Sequence, residues 1–245
     1  MFQLNTFSIA ARCPRTGMLG VAVSTAVPAV GGICSYIKEG VGAIATQSWV
    51  NPYLGIDGLK LLEQGLSAEE TLARLLADDA GRDDRQIGIV DAQGRAAAHT
   101  GATCVDWAGH IIGEGFSVQG NMLVGAETVS AMAKAAAASE AFDLTERLML
   151  VLEAGQAAGG DKRGKQSAAL KVFHQEAYPW LDIRVDEHRN PVAELRRIFE
   201  IAKHQLLTFT KGMPTRANVL GGLPQEVTAM LMTPPPYRPG GSGGV

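Results

Sequence analysis

The chain has 245 residues, of which 46% are hydrophobic and 19% charged, and its formal net charge is −3. This composition is typical of a globular protein with a sizeable core, and the interspersed charges leave no basic stripe for nucleic acid and no polybasic patch for a membrane surface. The three cysteines are far apart in the sequence, which argues against a disulfide framework and for a reducing compartment. With no signal-peptide pattern and no apolar run long enough to span a membrane, we expect a cytoplasmic protein.

The first part of the chain has the pattern of strands. Apolar and polar residues alternate after Asn5, a turn signal begins at Pro14, and a second apolar run predicts that the two segments form a hairpin. Two more short apolar runs complete a candidate sheet. The four predicted strands lie at residues 5–12, 18–27, 31–37 and 40–50.

Helical and strand patterns then follow one another. Ser67 and Glu70 occupy capping-box positions, Gln93–Gly94 marks the turn of a second hairpin, and Asn190–Pro191 opens a last helix with one apolar stripe. Helices are predicted at residues 55–65, 67–79, 126–138, 143–158 and from residue 190 onwards. Further strands are predicted at residues 85–101, 115–121, 165–173 and 181–186.

This element order predicts an α+β fold with two mostly antiparallel sheets and helices covering their outer faces. No linker is evident within residues 1–210, so we expect a single domain there. Residues 211–245 are rich in Pro and Gly with one short apolar stretch. We interpret them as a C-terminal extension that ends in a flexible tail.

Two glycine motifs have part of the pattern of a nucleotide-binding loop. The run that starts at Gly40 matches a dinucleotide fingerprint, but it leads into a strand and a turn instead of a helix. The loop that starts at Gly159 has Gln166 where a phosphate-binding loop needs Ser or Thr, and it leaves a helix instead of entering one. Neither motif therefore predicts a cofactor.

The second of these loops still carries a concentration of charge. Asp161, Lys162, Arg163 and Lys165 stand among its glycines. Two interpretations stay open: a mobile loop that receives the carboxylate of an anionic substrate, or a solvated turn with its charges directed outwards.

The sequence gives little indication of a metal site or of a cysteine nucleophile. The five histidines have no partner at helical spacing, so no metal site is predicted. His99, at the end of a hairpin strand, is the one histidine that we place near a cleft, although a histidine bonded to a backbone carbonyl would have the same pattern. The cysteines are most simply buried small hydrophobic residues.

Thr6 opens the first strand and raises a different possibility. An internal threonine is a poor nucleophile, but an N-terminal threonine carries its own base, because a free α-amine titrates near pH 8 and can take the hydroxyl proton. In this sequence that chemistry requires the Asn5–Thr6 bond to be cut.

Much of the chain resembles an uncharacterised bacterial family, the domain-of-unknown-function family ten-twenty-eight. The resemblance runs from Thr6 to about Leu207 and is carried by "NTFSIAARCPRTGMLGVAVST", "GVGAIATQSWVNPYLGIDGLKLLEQGLSAEETLARLLADD", "RQIGIVDAQGRAAAHTG" and "LEAGQAAGGDKRGKQSAALKV". The family is placed in the N-terminal-nucleophile (Ntn) hydrolase superfamily. The resemblance therefore implies a four-layer αββα sandwich and a hydrolase of carbon–nitrogen bonds other than peptide bonds. Relatives commonly begin Met-Thr-Phe-Ser, whereas here the segment from Met1 to Asn5 precedes the threonine, so its exposure requires self-cleavage or a protease.

Candidate site residues follow from this resemblance and from the polar residues at strand ends. We assign Thr6 as nucleophile and Asn121 as an oxyanion donor. The predicted substrate-binding residues are Ser24, Gln47, Asn51, His99, Asp161, Lys162 and Gln166. Two hypotheses stand: an amidohydrolase acting on a small molecule, or a non-catalytic Ntn-like scaffold that binds a small ligand or assembles with itself. A homo-oligomer, most simply a dimer, is expected in either case.

Overall fold

The computed structural model describes residues 6–233, so the segment before Thr6 and the predicted tail from residue 234 lie outside the described residues. Ten strands occur in this part of the chain: β1 (Thr6–Arg12), β2 (Leu19–Thr25), β3 (Ser35–Lys38), β4 (Gly42–Ser48), β5 (Arg85–Asp91), β6 (Ala96–Thr100), β7 (Gly109–Gly113), β8 (Phe116–Asn121), β9 (Ser167–Phe173) and β10 (Pro179–Val185). The α-helices are α1 (Gly31–Cys34), α2 (Pro52–Glu63), α3 (Ala68–Asp78), α4 (Ala126–Ala138), α5 (Leu144–Ala157), α6 (Pro191–His204), α7 (Leu206–Thr210) and α8 (Gln225–Met232).

The strands form two antiparallel sheets. The larger has the order β10-β9-β2-β1-β8-β7 and the smaller the order β3-β4-β5-β6. Every strand pair in both sheets is antiparallel. The predicted α+β class with two antiparallel sheets is confirmed, and so is the first hairpin, in which Thr6 pairs with Thr25.

Two details of the predicted strands are wrong. Residues 31–37 do not form one strand, because Gly31–Cys34 makes a helical turn and β3 begins only at Ser35. The turn brings Gly31 so close to β9 that an added Cβ would lie 2.5 Å from Cβ of Ala169. The four early strands also do not share a sheet, since β3 and β4 join β5 and β6 instead of β1 and β2.

Helices cover the outer face of each sheet. On the smaller sheet, Ile44 and Ile87 pack with Leu54 of α2 and Leu75 of α3 in one buried cluster. On the larger sheet, α5 lies so close that an added Cβ on Gly20 of β2 would meet the side chain of Leu148 at 2.6 Å. The inner faces of the two sheets therefore face each other, with helices outside both.

Contacts divide the chain into two units at residue 196, and the division falls within α6. The first unit contains both sheets and helices α1 to α5. The second contains α7 and α8, so the apolar stretch near residue 230 lies in a short helix. None of the helices within residues 6–233 is both long and apolar enough to cross a membrane.

Candidate functional site

Buried polar side chains connect the two sheets next to the start of β1. The hydroxyl of Ser8 donates to Oε1 of Gln47 at 2.7 Å, and Nε2 of Gln119 donates to the Ser8 hydroxyl at 2.7 Å. Ser117 continues the chain by donating to Oε1 of Gln119 at 2.7 Å. A buried amide that lacks a hydrogen-bond partner costs about 2–7 kcal/mol. These bonds therefore fix each side chain in one orientation.

Gln86 is the centre of this network. Its Oε1 accepts from Nε2 of Gln47 at 2.8 Å and from Nδ2 of Asn121 at 3.0 Å. Its Nε2 donates to the carbonyl of Gly120 at 2.8 Å and to the Thr100 hydroxyl at 2.9 Å. It also donates to the Gly109 carbonyl at 3.2 Å, so this one side chain of the smaller sheet bonds to both β8 and β7 of the larger sheet.

The network extends to a half-buried histidine. Thr100 Oγ1 lies 2.8 Å from Nδ1 of His110 on β7. Burial, and secondly the neighbouring His99, lower the pKa of His110. His110 is therefore neutral at physiological pH, which leaves one of its ring nitrogens able to accept a hydrogen bond.

Thr6 lies at one end of this polar layer. It pairs with Thr25 on one side and with Asn121 on the other, so the three side chains share the inner face of the larger sheet. The Thr6 hydroxyl is 3.3 Å from the Thr25 hydroxyl, and Gln47 Nε2 donates to the Thr6 carbonyl at 3.1 Å. Thr6 is fully buried.

Strained backbone follows the strand ends around Thr6. Ala29, Ser48 and Met122 have φ values of 56°, 67° and 51° and are the non-glycine residues in the left-handed region among residues 6–233. Met122 directly follows Asn121, Ser48 directly follows Gln47, and Ala29 lies in the segment after β2. Such conformations cost about 1–3 kcal/mol each and tend to cluster at functional sites.

The charged glycine loop between α5 and β9 closes over the same end. Asp161 is buried, and its carboxylate accepts from the backbone N–H of Ala26 at 3.2 Å and of Arg163 at 2.8 Å. The Lys162 N–H donates to the Met122 carbonyl at 3.2 Å, and the Gln166 N–H donates to the Thr25 carbonyl at 2.8 Å. The backbone of the loop is thus attached to the strands on both sides of Thr6, while the side chains of Lys162, Arg163 and Lys165 are exposed.

Five of the predicted site residues therefore gather around Thr6. They are Gln47, Asn121, Asp161, Lys162 and Gln166. Of these, Asp161 acts as a structural acceptor, and the Lys162 ammonium is occupied by the Asp106 carbonyl at 2.6 Å. The main contribution of the three loop residues Asp161, Lys162 and Gln166 is to attach the loop over the Thr6 end.

Three other predicted residues lie elsewhere. Ser24 is next to Thr25 but on the opposite face of β2, where it bonds the Ser167 carbonyl at 3.2 Å. Asn51 caps α2 by accepting from the Tyr53 N–H at 3.1 Å. His99 pairs with Ile87, whose side chain packs under the helices, and its Nε2 lies 2.9 Å from the Arg82 carbonyl.

Sequence reasoning missed the network residues that support Thr6. A signal was present: in β8 the polar residues Ser117, Gln119 and Asn121 alternate within an otherwise apolar strand, as Thr6 and Ser8 do in β1. Polar residues at period two mark one face of a strand, which here is the inner face. The pattern does not show which strand of the other sheet supplies their hydrogen-bond partners.

An open pocket lies beside this end of the sheet. It measures about 620 Å³ and is lined by Ala26, Arg163, Lys165, Gln166, Glu187, His188 and Arg189. Within residues 6–233, no group of three or more His, Cys, Asp or Glu side chains could hold a metal ion.

Comparisons with known proteins place the fold in context. The model of a family described as a family of unknown function, DUF1028, matches residues 6–195. A crystal structure of a DUF1028 protein from Silicibacter pomeroyi is 30% identical, with a TM-score of 0.82, over 90% of this chain and all of that chain. Anbu (ancestral beta-subunit) from Yersinia bercovieri aligns over 85% of this chain and 98% of that one at 11% identity, with a TM-score of 0.39 that carries no inference. No curated protein matches the sequence.

Proposed function

The chain belongs to the DUF1028 family, and from this premise we propose that it is an Ntn-type amidohydrolase in which Thr6, once freed at its amine, is the nucleophile. The substrate is a small molecule with an amide or related carbon–nitrogen bond. The observation that carries the proposal is the position of Thr6 at the start of a central strand, with its side chain between Thr25 and Asn121.

The amide network supports different roles for Gln47 and Asn121. Gln47 Nε2 has two hydrogens, and both are used, one by the Thr6 carbonyl and one by Gln86 Oε1. Gln47 is therefore a positioning residue. Asn121 Nδ2 donates to Gln86 at 3.0 Å and keeps a second hydrogen, so it is the better donor to an oxyanion.

The proposed reaction follows from these groups. The free Thr6 amine takes the proton from the Thr6 hydroxyl, whose oxygen attacks the substrate carbonyl, and Asn121 donates to the resulting oxyanion. The protonated amine returns its proton to the leaving nitrogen as the carbon–nitrogen bond breaks. Water, activated by the same amine, then hydrolyses the acyl ester and restores the threonine.

Release of the Thr6 amine is a prior step. Attack of the Thr6 hydroxyl on the Asn5 carbonyl would convert the Asn5–Thr6 amide to an ester, and hydrolysis of that ester would leave a carboxylate on Asn5 and a free amine on Thr6. A protease would give the same product.

A screen of amide substrates with Thr6 variants tests the proposal. Thr6→Ala should lower the hydrolysis rate by about 10³-fold or more, and Thr6→Ser should retain part of it, because it keeps the hydroxyl and the amine. Thr71→Ala is a matched control, since Thr71 is a buried threonine on α3 whose hydroxyl has no hydrogen-bond partner among residues 6–233. Full activity in Thr6→Ala would eliminate Thr6 as the nucleophile, whereas a wild-type protein that hydrolyses none of the amides would favour the alternative of a non-catalytic scaffold that binds a ligand.

A further inference from the structure

The pocket lined by Ala26, Lys165, His188 and Arg189 continues the row of strand ends that begins at Thr6. Thr6 pairs with Thr25, the Gln166 N–H donates to the Thr25 carbonyl at 2.8 Å, and the His188 N–H donates to the Gln166 carbonyl at 2.8 Å. Each step crosses one strand. Neighbouring strands are about 4.8 Å apart, and Gln166, in the pocket lining, is two steps from Thr6. The middle of the pocket therefore lies about 10 Å from Thr6.

The charges of the pocket favour an anion. Lys165 and Arg189 form no ion pair with any other residue described in 6–233, although both line the pocket. Arg163 contributes a third cation, shared with the buried Asp161 at 3.2 Å. Glu187 is the one acidic lining residue, so the cations exceed the anions.

The walls of the pocket are held in fixed positions. His188 Nδ1 accepts from the Asn190 N–H at 3.0 Å, which places the proton of a neutral ring on Nε2. Gly160 and Gly164, with φ values of 63° and 115°, allow the loop that carries Lys165 to turn back over the strand ends. These contacts position the backbone that carries Lys165 and Arg189, and the two side chains themselves are exposed, so a carboxylate can reach them from solvent.

A second, smaller pocket adjoins the first. It measures about 260 Å³ and shares Lys165, so the two meet at this side chain. Its wall includes Gln156, whose Oε1 is buried and has no hydrogen-bond partner among the described residues.

We propose that this pocket, centred on Lys165 and Arg189, binds the carboxylate of an acidic amide whose reacting carbonyl is bound at Thr6. Its connection to catalysis rests on the proposed function, whereas carboxylate binding itself does not need Thr6 chemistry. The substrate must span about 10 Å less the reach of the Lys165 side chain. An extended chain spans at most about 3.3–3.6 Å per residue, so a substrate the length of an acylated dipeptide suits this distance.

Calorimetric binding of two matched probes tests this proposal. N-acetyl-alanyl-alanine carries a free carboxylate, and N-acetyl-alanyl-alaninamide has the same shape without the charge. We expect the acid to bind at least tenfold more tightly than the amide, and its affinity to fall as the salt concentration rises. Equal affinities, or no binding of either probe, would overturn the proposal.

Charge variants locate the binding to the pocket. Lys165→Gln and Arg189→Gln should each weaken binding of the acid by about fivefold, while Glu187→Gln should strengthen it by about twofold because it removes a repulsive charge. Lys134→Gln removes an exposed lysine of α4, outside the pocket, and should have no effect. An equal loss in Lys134→Gln would show that only the net charge matters and would contradict a defined site.

Thr6→Ala separates this proposal from the proposed function. Hydrolysis should be lost, whereas the acid should still bind more tightly than the amide, because the carboxylate is bound at Lys165 and Arg189. Acid binding that survives in a protein without any amidase activity would leave the carboxylate site intact and refute the hydrolase.

Discussion

The two ends of the space between the sheets are built on the same strands with opposite chemistry. At one end, Ala10, Leu19 and Val90 belong to a buried cluster that is wholly apolar. At the other end, beside Thr6, the same inner faces carry Ser8 and Gln86 in a closed set of hydrogen bonds. The apolar end needs only volume to be filled, whereas the polar end needs each donor and acceptor in place.

This difference indicates where function resides. Hydrophobic packing would stabilise the Thr6 end at least as well as amides do, since a satisfied buried hydrogen bond contributes only about 0.5–1.5 kcal/mol. The amide network instead fixes orientation, and the groups that it orients most directly are the Thr6 carbonyl and Asn121. Four variants test this comparison.

Gly88→Ala should have the largest effect on stability. An added Cβ would lie 2.2 Å from Oε1 of Gln119 and 2.8 Å from the Ser117 hydroxyl, so the network must shift. We expect a loss of about 3–4 kcal/mol in the free energy of unfolding, measured by urea denaturation. Gly32→Ala is the control, because its added Cβ meets nothing within 4 Å. An unchanged free energy of unfolding in Gly88→Ala would mean that the amide layer is loosely packed.

Gln86→Leu should have the next largest effect, a loss of about 2–3 kcal/mol in the free energy of unfolding. The change leaves donors on Gln47 and Asn121 and the Gly120 carbonyl without their partner inside the protein. A double-mutant cycle with Gln47→Leu should be less than additive, since both substitutions disrupt the same bond. Strictly additive losses would contradict a single network.

Val90→Ala tests the apolar end. Val90 is fully buried between the sheets, and its truncation should cost about 1–3 kcal/mol. In contrast to Gln86→Leu, it should leave hydrolysis and carboxylate binding unchanged under conditions where both proteins are folded. An equal loss of activity in the two variants would remove the distinction between the ends.

His110 should give the smallest effect, visible as a pH dependence. Its pKa is lowered in the folded protein, so the unfolded chain binds its proton first as the pH falls. The stabilising contribution is complete above the unfolded value of about 6.5 and is lost as the pH falls below it. The unfolding midpoint should therefore drop between pH 7.5 and 5.5, and drop less in His110→Gln. Parallel curves for the two proteins would show that another group is responsible.

The sequence predicted the sheets better than the site, and the reasons are physical. Alternation over residues 5–12 is a local pattern, so the β1–β2 hairpin could be predicted, and the capping box of Ser67 and Glu70 is formed in α3. The run from Gly31 failed because tertiary contact with Ala169 decides its conformation. Gln86 lies 35 residues from Asn121 in the chain, and no local pattern joins them.

The most direct test of the account is the intact mass and N-terminal sequence of the protein expressed without an N-terminal tag. We predict a chain that begins at Thr6, and a Thr6→Ala protein that stays uncut if the cleavage is its own reaction. A preparation that hydrolyses an amide while its chain still begins at Met1 or Phe2 would contradict a free Thr6 amine as the catalytic base.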